Sequence, residues 1–230
     1  MGKKLLEICC DHLHSALAAQ AGGADRIELC SALATDGLTP SAGLLKQLKE
    51  QLSIPIFVLI RPRPGNFVYS QSEVAVMIAD IEQARSLGAN GIVSGALTEN
   101  NEIDLPATRS LIAAAGPLPF TFHKAFDLTP DPVQALDQLI DLGAARVLTS
   151  GQADSAVAGK SMLQQLADRA GEQLRILCAG GIRDHNIALL LNLEGIHEFH
   201  SAALNRHSDD ASGYPTVSEE MVRNMQSELA

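Results

Sequence analysis

One sequence pattern recurs along this chain and limits what the chain can fold into. A segment with helical periodicity ends at Gly-Ala, and a short apolar run follows within a few residues, as at 23–29, 88–93 and 143–148. Glycine suits the left-handed residue that closes a helix, and the apolar run is typical of a buried strand. Each occurrence of the pattern therefore predicts a junction from a helix to the next strand.

Further apolar runs bring the number of predicted strands to eight, spaced about 20 to 35 residues apart with helical segments between them. The additional strands are Leu5 to Cys9, Ile56 to Ile60, Phe120 to His123, Arg175 to Cys178 and Ile196 to His200. Such alternation implies right-handed crossovers and a parallel sheet, and eight repeats favour closure into a (β/α)8 barrel of the TIM type. A doubly wound open sheet is the alternative, but no GxGxxG motif follows the first strand.

The domain organisation follows from the length. Barrels of this class commonly use about 200 to 250 residues as one unit, so residues 1–230 are predicted to form a single domain. Residues 203–216 are predicted to be a flexible loop, and residues 217–229 a closing C-terminal helix.

Charge and hydropathy exclude several classes of partner. The formal net charge is −10 and the isoelectric point is near 5.1, so the chain has no basic face for nucleic acid. No stretch approaches the roughly 20 apolar residues that span a bilayer, and Glu7 interrupts the N-terminal apolar run. We expect a cytoplasmic protein with no membrane partner, and the sequence leaves both a monomer and a homo-oligomer open.

Strand parity predicts which polar side chains enter the barrel. Apolar residues at alternate positions face the helices, so the residues between them fill the lumen. On the first two strands the inward set is Glu7, Cys9, Arg26, Glu28 and Cys30.

The same parity, continued to the strand ends, predicts a polar rim at the end of a barrel where active sites lie. We interpret this rim as a candidate site for a small anion or metabolite, with the binding residues Arg61, Arg63, Ser150, Gly151, Gly180, Gly181, His200 and Ser201. Glu7, Glu28 and His123 are the candidate acid/base residues. The alternative is structural: a buried ion-pair network, satisfied core histidines and tight glycine turns.

Cys9 and Cys30 have two interpretations. Buried cysteines usually fill space as small apolar side chains. Two inward thiols on neighbouring strands can also hold Cu(I) in near-linear coordination, because soft thiolates favour that ion. A disulfide is disfavoured in a reducing compartment.

With these residues in view, the chain resembles the CutC family from Leu5 to about Ala202. The motifs that carry the resemblance are Leu6-Glu7-Ile8-Cys9, 23–30 (GADRIELC), 37–41 (GLTPS), Ile60-Arg61-Pro62-Arg63, 121–127 (TFHKAFD), 146–151 (RVLTSG) and Glu198-Phe199-His200-Ser201. The resemblance implies a cytoplasmic (β/α)8 barrel that binds copper through Cys9 and Cys30.

The chain departs from the family pattern at three places. Lys124 replaces a common Arg, Pro64 replaces a usual Gly, and the segment after Ala202 is shorter and more acidic. The last departure puts in doubt any role of the family's tail in covering the site.

The sequence therefore supports two alternative functions. The first is Cu(I) binding by Cys9 and Cys30, in copper homeostasis. The second is an enzyme that acts on a small phosphorylated or carboxylate metabolite by Glu/His acid–base chemistry. A lysine Schiff base is disfavoured, because parity places Lys124 with the outward-facing Phe120 and Phe122.

Overall fold

The computed structural model describes residues 3–205 and 214–230, and its centre is a closed barrel of eight parallel strands. This confirms the predicted TIM-type barrel. The strands are β1 Leu5–Cys10, β2 Arg26–Leu29, β3 Ile56–Leu59, β4 Gly91–Ser94, β5 Phe120–Phe122, β6 Arg146–Thr149, β7 Arg175–Cys178 and β8 Glu198–Ser201.

Six helices follow the first six strands, and a seventh ends the chain. They are α1 Leu13–Ala21, α2 Ala42–Gln51, α3 Gln71–Ser86, α4 Leu105–Ala115, α5 Pro132–Asp141, α6 Lys160–Ala170 and α7 Glu219–Leu229. Ser70 and Glu73 form a capping box at the start of α3, because each side chain satisfies a backbone amide that the first turn leaves free. Between β7 and β8 the structure has a short 3-10 turn, Ile187–Leu190, where the sequence predicts a helix.

The hydrophobic core has an outer and an inner part. Leu6, Ile8 and the other helix-facing strand residues pack with the helices in one large cluster. A smaller cluster inside the barrel contains Cys9, Cys30, Phe57, Leu59 and Val93. The strand parity predicted from the sequence is therefore confirmed on β1 and β2.

An ion-pair network fills the lower lumen. The Arg26 guanidinium donates Nε to Glu7 at 2.5 Å and Nη2 to Glu198 at 2.8 Å, and Arg146 donates Nε to Glu198 at 2.7 Å. Glu7, Arg26 and Glu198 are buried, and the Arg146 side chain is 14% exposed. The cations of this network are Arg26, which parity predicts to face the lumen, and Arg146; Arg61 and Arg63 of the predicted rim take no part in it.

The ends of the described chain meet at one carboxylate. Lys3 Nζ lies 2.7 Å from Asp25 Oδ1, and Gln226 Nε2 on α7 lies 2.7 Å from Asp25 Oδ2. Leu204–Asn205 (β9), in the predicted loop 203–216, pairs antiparallel with Thr216–Val217 (β10), and residues 206–213 of that loop lie outside the described residues. None of the described helices is both long and apolar enough to cross a membrane.

Candidate functional site

The two predicted thiols meet inside the barrel. In the register of β1 and β2, Cys9 lies opposite Glu28, because both strands send alternate residues inward. Cys9 Sγ lies 3.6 Å from Cys30 Sγ and 3.6 Å from Glu28 Oε1. Both cysteines are free and buried, so the structure holds two reduced thiols in contact beside a carboxyl group.

His200 joins this group from β8, which closes the barrel against β1. Glu7 and His200 are register partners, and Glu7 Oε1 lies 2.7 Å from His200 Nδ1. A carboxylate on one ring nitrogen fixes the imidazole and leaves the other nitrogen for a ligand. Ligand atoms of Cys9, Glu28 and His200 all lie within 4.8 Å of one another, which is the spacing of a group that can hold a metal ion.

Burial and neighbouring charges set the pKa values of the ionisable groups around the thiols. Burial alone would raise the pKa of Glu7, but Arg26 and His200 outweigh it and hold the pKa at about 2. Burial raises the pKa of Glu28. For His200, burial acts to lower the pKa, yet Glu7 and Glu28 together raise it. The hydrogen bond with Cys30, with burial, raises the pKa of the Cys9 thiol well above its ordinary range.

These shifts distinguish the three candidate acid/base residues. Glu7 is held ionised by its two partners. Burial lowers the pKa of His123 to about 3, with Arg61 adding to the effect, so that imidazole is neutral at physiological pH. Glu28 alone has a pKa moved toward neutrality, which is the direction that proton transfer near pH 7 requires.

His123 and Arg61 line the same cavity as Cys9 and Glu28. This thiol-side cavity, which we define by these four residues with Phe67 and His200, has a volume of about 150 Å³. A second, glycine-side cavity of about 450 Å³ is lined by Ser150, Gly180, Gly181, Arg183 and Ser201. The two adjoin, since both are lined by Lys124 and His200.

Arg63 and Lys124 do not lie where parity predicts. Arg63 donates Nε to Glu73 at 2.5 Å and Nη2 to the Val68 carbonyl at 2.7 Å, so it braces its own loop against α3. Lys124 lies at the mouth of the barrel, with Nζ 3.1 Å from Asp36 Oδ1, and not toward the helices. Both follow the last residue of their strand, where the alternation of side chains ends.

Several predicted donors are already engaged within the chain. The Ser150 hydroxyl faces Asp127 and the Ala153 carbonyl, the Gly151 amide donates to Thr149 Oγ1, and the Ser201 hydroxyl donates to the Ile182 carbonyl. In the described part of the chain, the amides of Gly180 and Gly181 have no intramolecular acceptor.

Asp127 is a residue of this rim that the sequence analysis missed. Its carboxylate accepts hydrogen bonds from the Thr149 hydroxyl, the Ser150 amide and hydroxyl, and the Gln152 amide. These donors at the end of β6 are thus engaged by a carboxylate of the chain itself. Its place in the 121–127 motif is the one signal in the sequence that marks it.

Comparison with known proteins agrees with this architecture. The CutC family model matches residues 4–205. The copper homeostasis protein cutC homologs of Mus musculus and Homo sapiens are 49% and 48% identical over 199 residues, which covers 86% of this chain and 73% of each relative. A CutC family protein of Pasteurella multocida is 49% identical over 195 residues, covering 85% of this chain and 80% of the relative.

One solved structure is a member of the same family, and a more distant one shares only the fold. A crystal structure of a CutC protein from Streptococcus agalactiae matches with a TM-score of 0.83 and 34% identity, covering 86% of this chain and 98% of that one. Thiamine phosphate pyrophosphorylase from Pyrococcus furiosus matches with a TM-score of 0.62 at 12% identity, over 98% and 95% of the two chains, and so shares the barrel only. The family model and these relatives together show that the chain belongs to the CutC family.

Proposed function

We propose that this chain binds Cu(I) through Cys9 and Cys30 and serves copper homeostasis in the cytoplasm. The observation that carries the proposal is the contact of the two thiols, with Sγ atoms 3.6 Å apart inside the barrel. The names of the relatives from mouse and human, which are copper homeostasis protein homologs, support the same function. A compartment that keeps thiols reduced agrees with two cysteines in contact that remain unbonded.

The donor set suits a soft ion. Thiolate and imidazole favour Cu(I), and His200 offers a ring nitrogen beside Cys9 while its other nitrogen is held by Glu7. With metal–sulfur bonds of about 2.3 Å, a linear pair needs sulfur atoms about 4.6 Å apart and a tetrahedral pair about 3.8 Å. The separation of 3.6 Å favours a bent pair that leaves room for His200 or Glu28, in contrast to the near-linear coordination predicted from the sequence.

The test is an anaerobic Cu(I) titration of the reduced protein against a competing chelator. We expect one tight equivalent in the wild type and its loss in the double variant Cys9→Ser, Cys30→Ser. Cys178→Ser is the matched control, because Cys178 is equally buried but packs with the helix-facing core. Copper stoichiometry retained in the double variant, or lost equally in the control, would refute the proposal.

A further inference from the structure

The strongest unexplained feature outside the thiol pair is a buried cation with no counter-ion. Arg61 is 4% exposed, and its guanidinium forms no ion pair with any carboxylate of the described residues. Its Nη atoms donate to the carbonyl oxygens of Thr35, Gly37 and Gly65 at 2.8, 3.0 and 2.9 Å. A charge removed from water is normally paired, because an unpaired buried charge is strongly disfavoured.

Arg61 also has an unused donor. Its Nε is buried and makes no well-directed hydrogen bond in the part of the chain that the structure describes, and the Tyr69 hydroxyl, which makes none there either, lies beside the guanidinium. The Phe67 ring lies 4.9 Å below the guanidinium carbon and covers one face of it. Carbonyl dipoles and an aromatic face moderate the charge but do not neutralise it, so the site still lacks an anion.

His123, in the same cavity, supplies a second unused donor. The Ala125 amide donates to His123 Nδ1 at 3.3 Å, so the proton of this neutral imidazole lies on Nε2. Nε2 is buried and unpaired within the described residues. The low pKa of His123, about 3, agrees with a neutral ring that donates a hydrogen bond and does not accept a proton.

A third set of donors lies across the adjoining glycine-side cavity. Gly180 and Gly181 have φ angles of +107° and +67°, and a Cβ on Gly180 would meet Ser150 Cβ at 2.7 Å. Their carbonyl oxygens are held by the Ala156 amide and the Asn186 side chain, whereas their amides have no acceptor among residues 3–205 and 214–230. Successive free amides of this kind form a concave site for an oxyanion.

The buried Glu28 lines the same cavity as Arg61 and His123, and the other acidic residues around these donors are mostly compensated. Asp36 pairs with Lys124, and Asp127 accepts four hydrogen bonds from the loop after β6. Asp154 lines the glycine-side cavity, and none of the described contacts pairs its carboxylate with a cation or a hydrogen-bond donor. The two cavities, of about 450 and 150 Å³, together have the size of a site for a small metabolite.

We propose that the mouth of the barrel binds a small organic acid with two oxyanionic groups. Its carboxylate lies in the thiol-side cavity as the counter-ion of Arg61. It reaches Arg61 Nε and His123 Nε2, which are closed to solvent in this structure, through a shift of the side chains around them. Its second group, a carboxylate or a phosphate, lies on the amides of Gly180 and Gly181. This site shares the thiol-side cavity with Cys9, Glu28 and His200, but it takes none of these residues as a contact of the acid.

The test is calorimetric titration of the full-length, metal-free protein with succinate and with 3-phosphoglycerate, and with glycerol as the uncharged comparison. We expect one saturable site for at least one of the two acids and none for glycerol. Which acid binds more tightly identifies the second group as carboxylate or phosphate. Failure of both acids to bind at millimolar concentration would overturn the proposal.

Variants locate the site. Arg61→Met and His123→Phe should each raise the dissociation constant at least about tenfold, the loss expected for a hydrogen bond to a charged group. Arg63→Met is the matched control and should bind like the wild type, because Arg63 is engaged with Glu73. If Arg61→Met does not fold, His123→Phe decides. Equal binding by the wild type and His123→Phe would contradict the assignment.

The copper variants separate this inference from the proposed function. The double variant Cys9→Ser, Cys30→Ser should bind the acid as the wild type does, and His123→Phe should still bind Cu(I). Loss of acid binding in the cysteine variant would show that the ligand lies on the thiols and would overturn the site described here.

Discussion

Glu7 Oε1 lies 2.7 Å from Nδ1 of His200, across the seam where the first strand of the barrel pairs with the eighth. The other oxygen of the same carboxylate accepts from Arg26. One buried side chain therefore anchors both the ion-pair network of the lower lumen and the imidazole beside the thiols.

Removal of that charge should destabilise the fold. We expect Glu7→Gln to lower the free energy of unfolding by about 3 kcal/mol at pH 7, because Arg26 and His200 lose a buried counter-charge. Glu73→Gln is the control, and its half-exposed pair with Arg63 should contribute at most about 1 kcal/mol. Urea denaturation measures both, and equal losses would contradict the role given to Glu7.

The stability loss caused by Glu7→Gln should depend on pH. The pKa of Glu7 in the folded protein, about 2, lies below its ordinary value of 4.5. Its stabilisation is therefore present above pH 4.5 and is lost as the pH falls toward 2. The difference between wild type and Glu7→Gln should shrink over that range, and a difference that stays constant would rule this linkage out.

His123 should make the protein sensitive to mild acid. Its pKa in the folded state, about 3, lies below the ordinary 6.5, because burial and the nearby Arg61 and Lys124 disfavour the imidazolium. The unfolded chain then binds one more proton between these values, so stability falls by up to about 1.4 kcal/mol per pH unit as the pH drops below 6.5. His123→Asn, which keeps an acceptor for the Ala125 amide, should show a shallower decline between pH 6 and 4.5 in denaturant titrations.

Copper binding should strengthen as the pH rises. The pKa of the Cys9 thiol is raised well above its ordinary range, so the metal must displace its proton. We expect the apparent Cu(I) affinity to increase about tenfold per pH unit for each proton displaced. Competition titrations at three pH values between 6 and 8 measure the slope, and a flat profile would show that the Cys9 thiol is not a ligand.

The Asp127 carboxylate should contribute to the stability of the folded protein through its hydrogen bonds at the rim. Asp127→Asn replaces a carboxylate that accepts four hydrogen bonds by an amide with one acceptor oxygen, and we expect a loss of about 3 kcal/mol. Asp131→Asn is the control, because asparagine caps a helix as well as aspartate does. Thermal unfolding compares the two, and similar melting temperatures would contradict this view of Asp127.

The residues on the strands could be predicted from the sequence because their environment is regular. On β1 and β2 one set of alternate residues meets the helices and must be apolar, so the polar residues between them must enter the lumen. The same rule applied to β6 would have found Arg146, since Val147 faces the helices.

The rim could not be predicted in the same way. Arg63 and Lys124 follow their strands, and there the backbone turns, so parity carries no information. The hydrogen bond between Asp127 and the Ser150 amide joins positions 23 residues apart, one in the 3-10 helix Lys124–Leu128 and one just after β6, and no local pattern in the sequence pairs them.

The closure of the barrel has a consequence for biosynthesis. Glu7 and His200 are 193 positions apart, so the imidazole beside Cys9 emerges from the ribosome long after the two thiols. A nascent chain carries Cys9 and Cys30 without the strand that covers them, and contacts so distant in sequence form late in folding. Both thiols are buried in the closed barrel, so we expect them to be more open to oxidation on the nascent chain than in the folded protein.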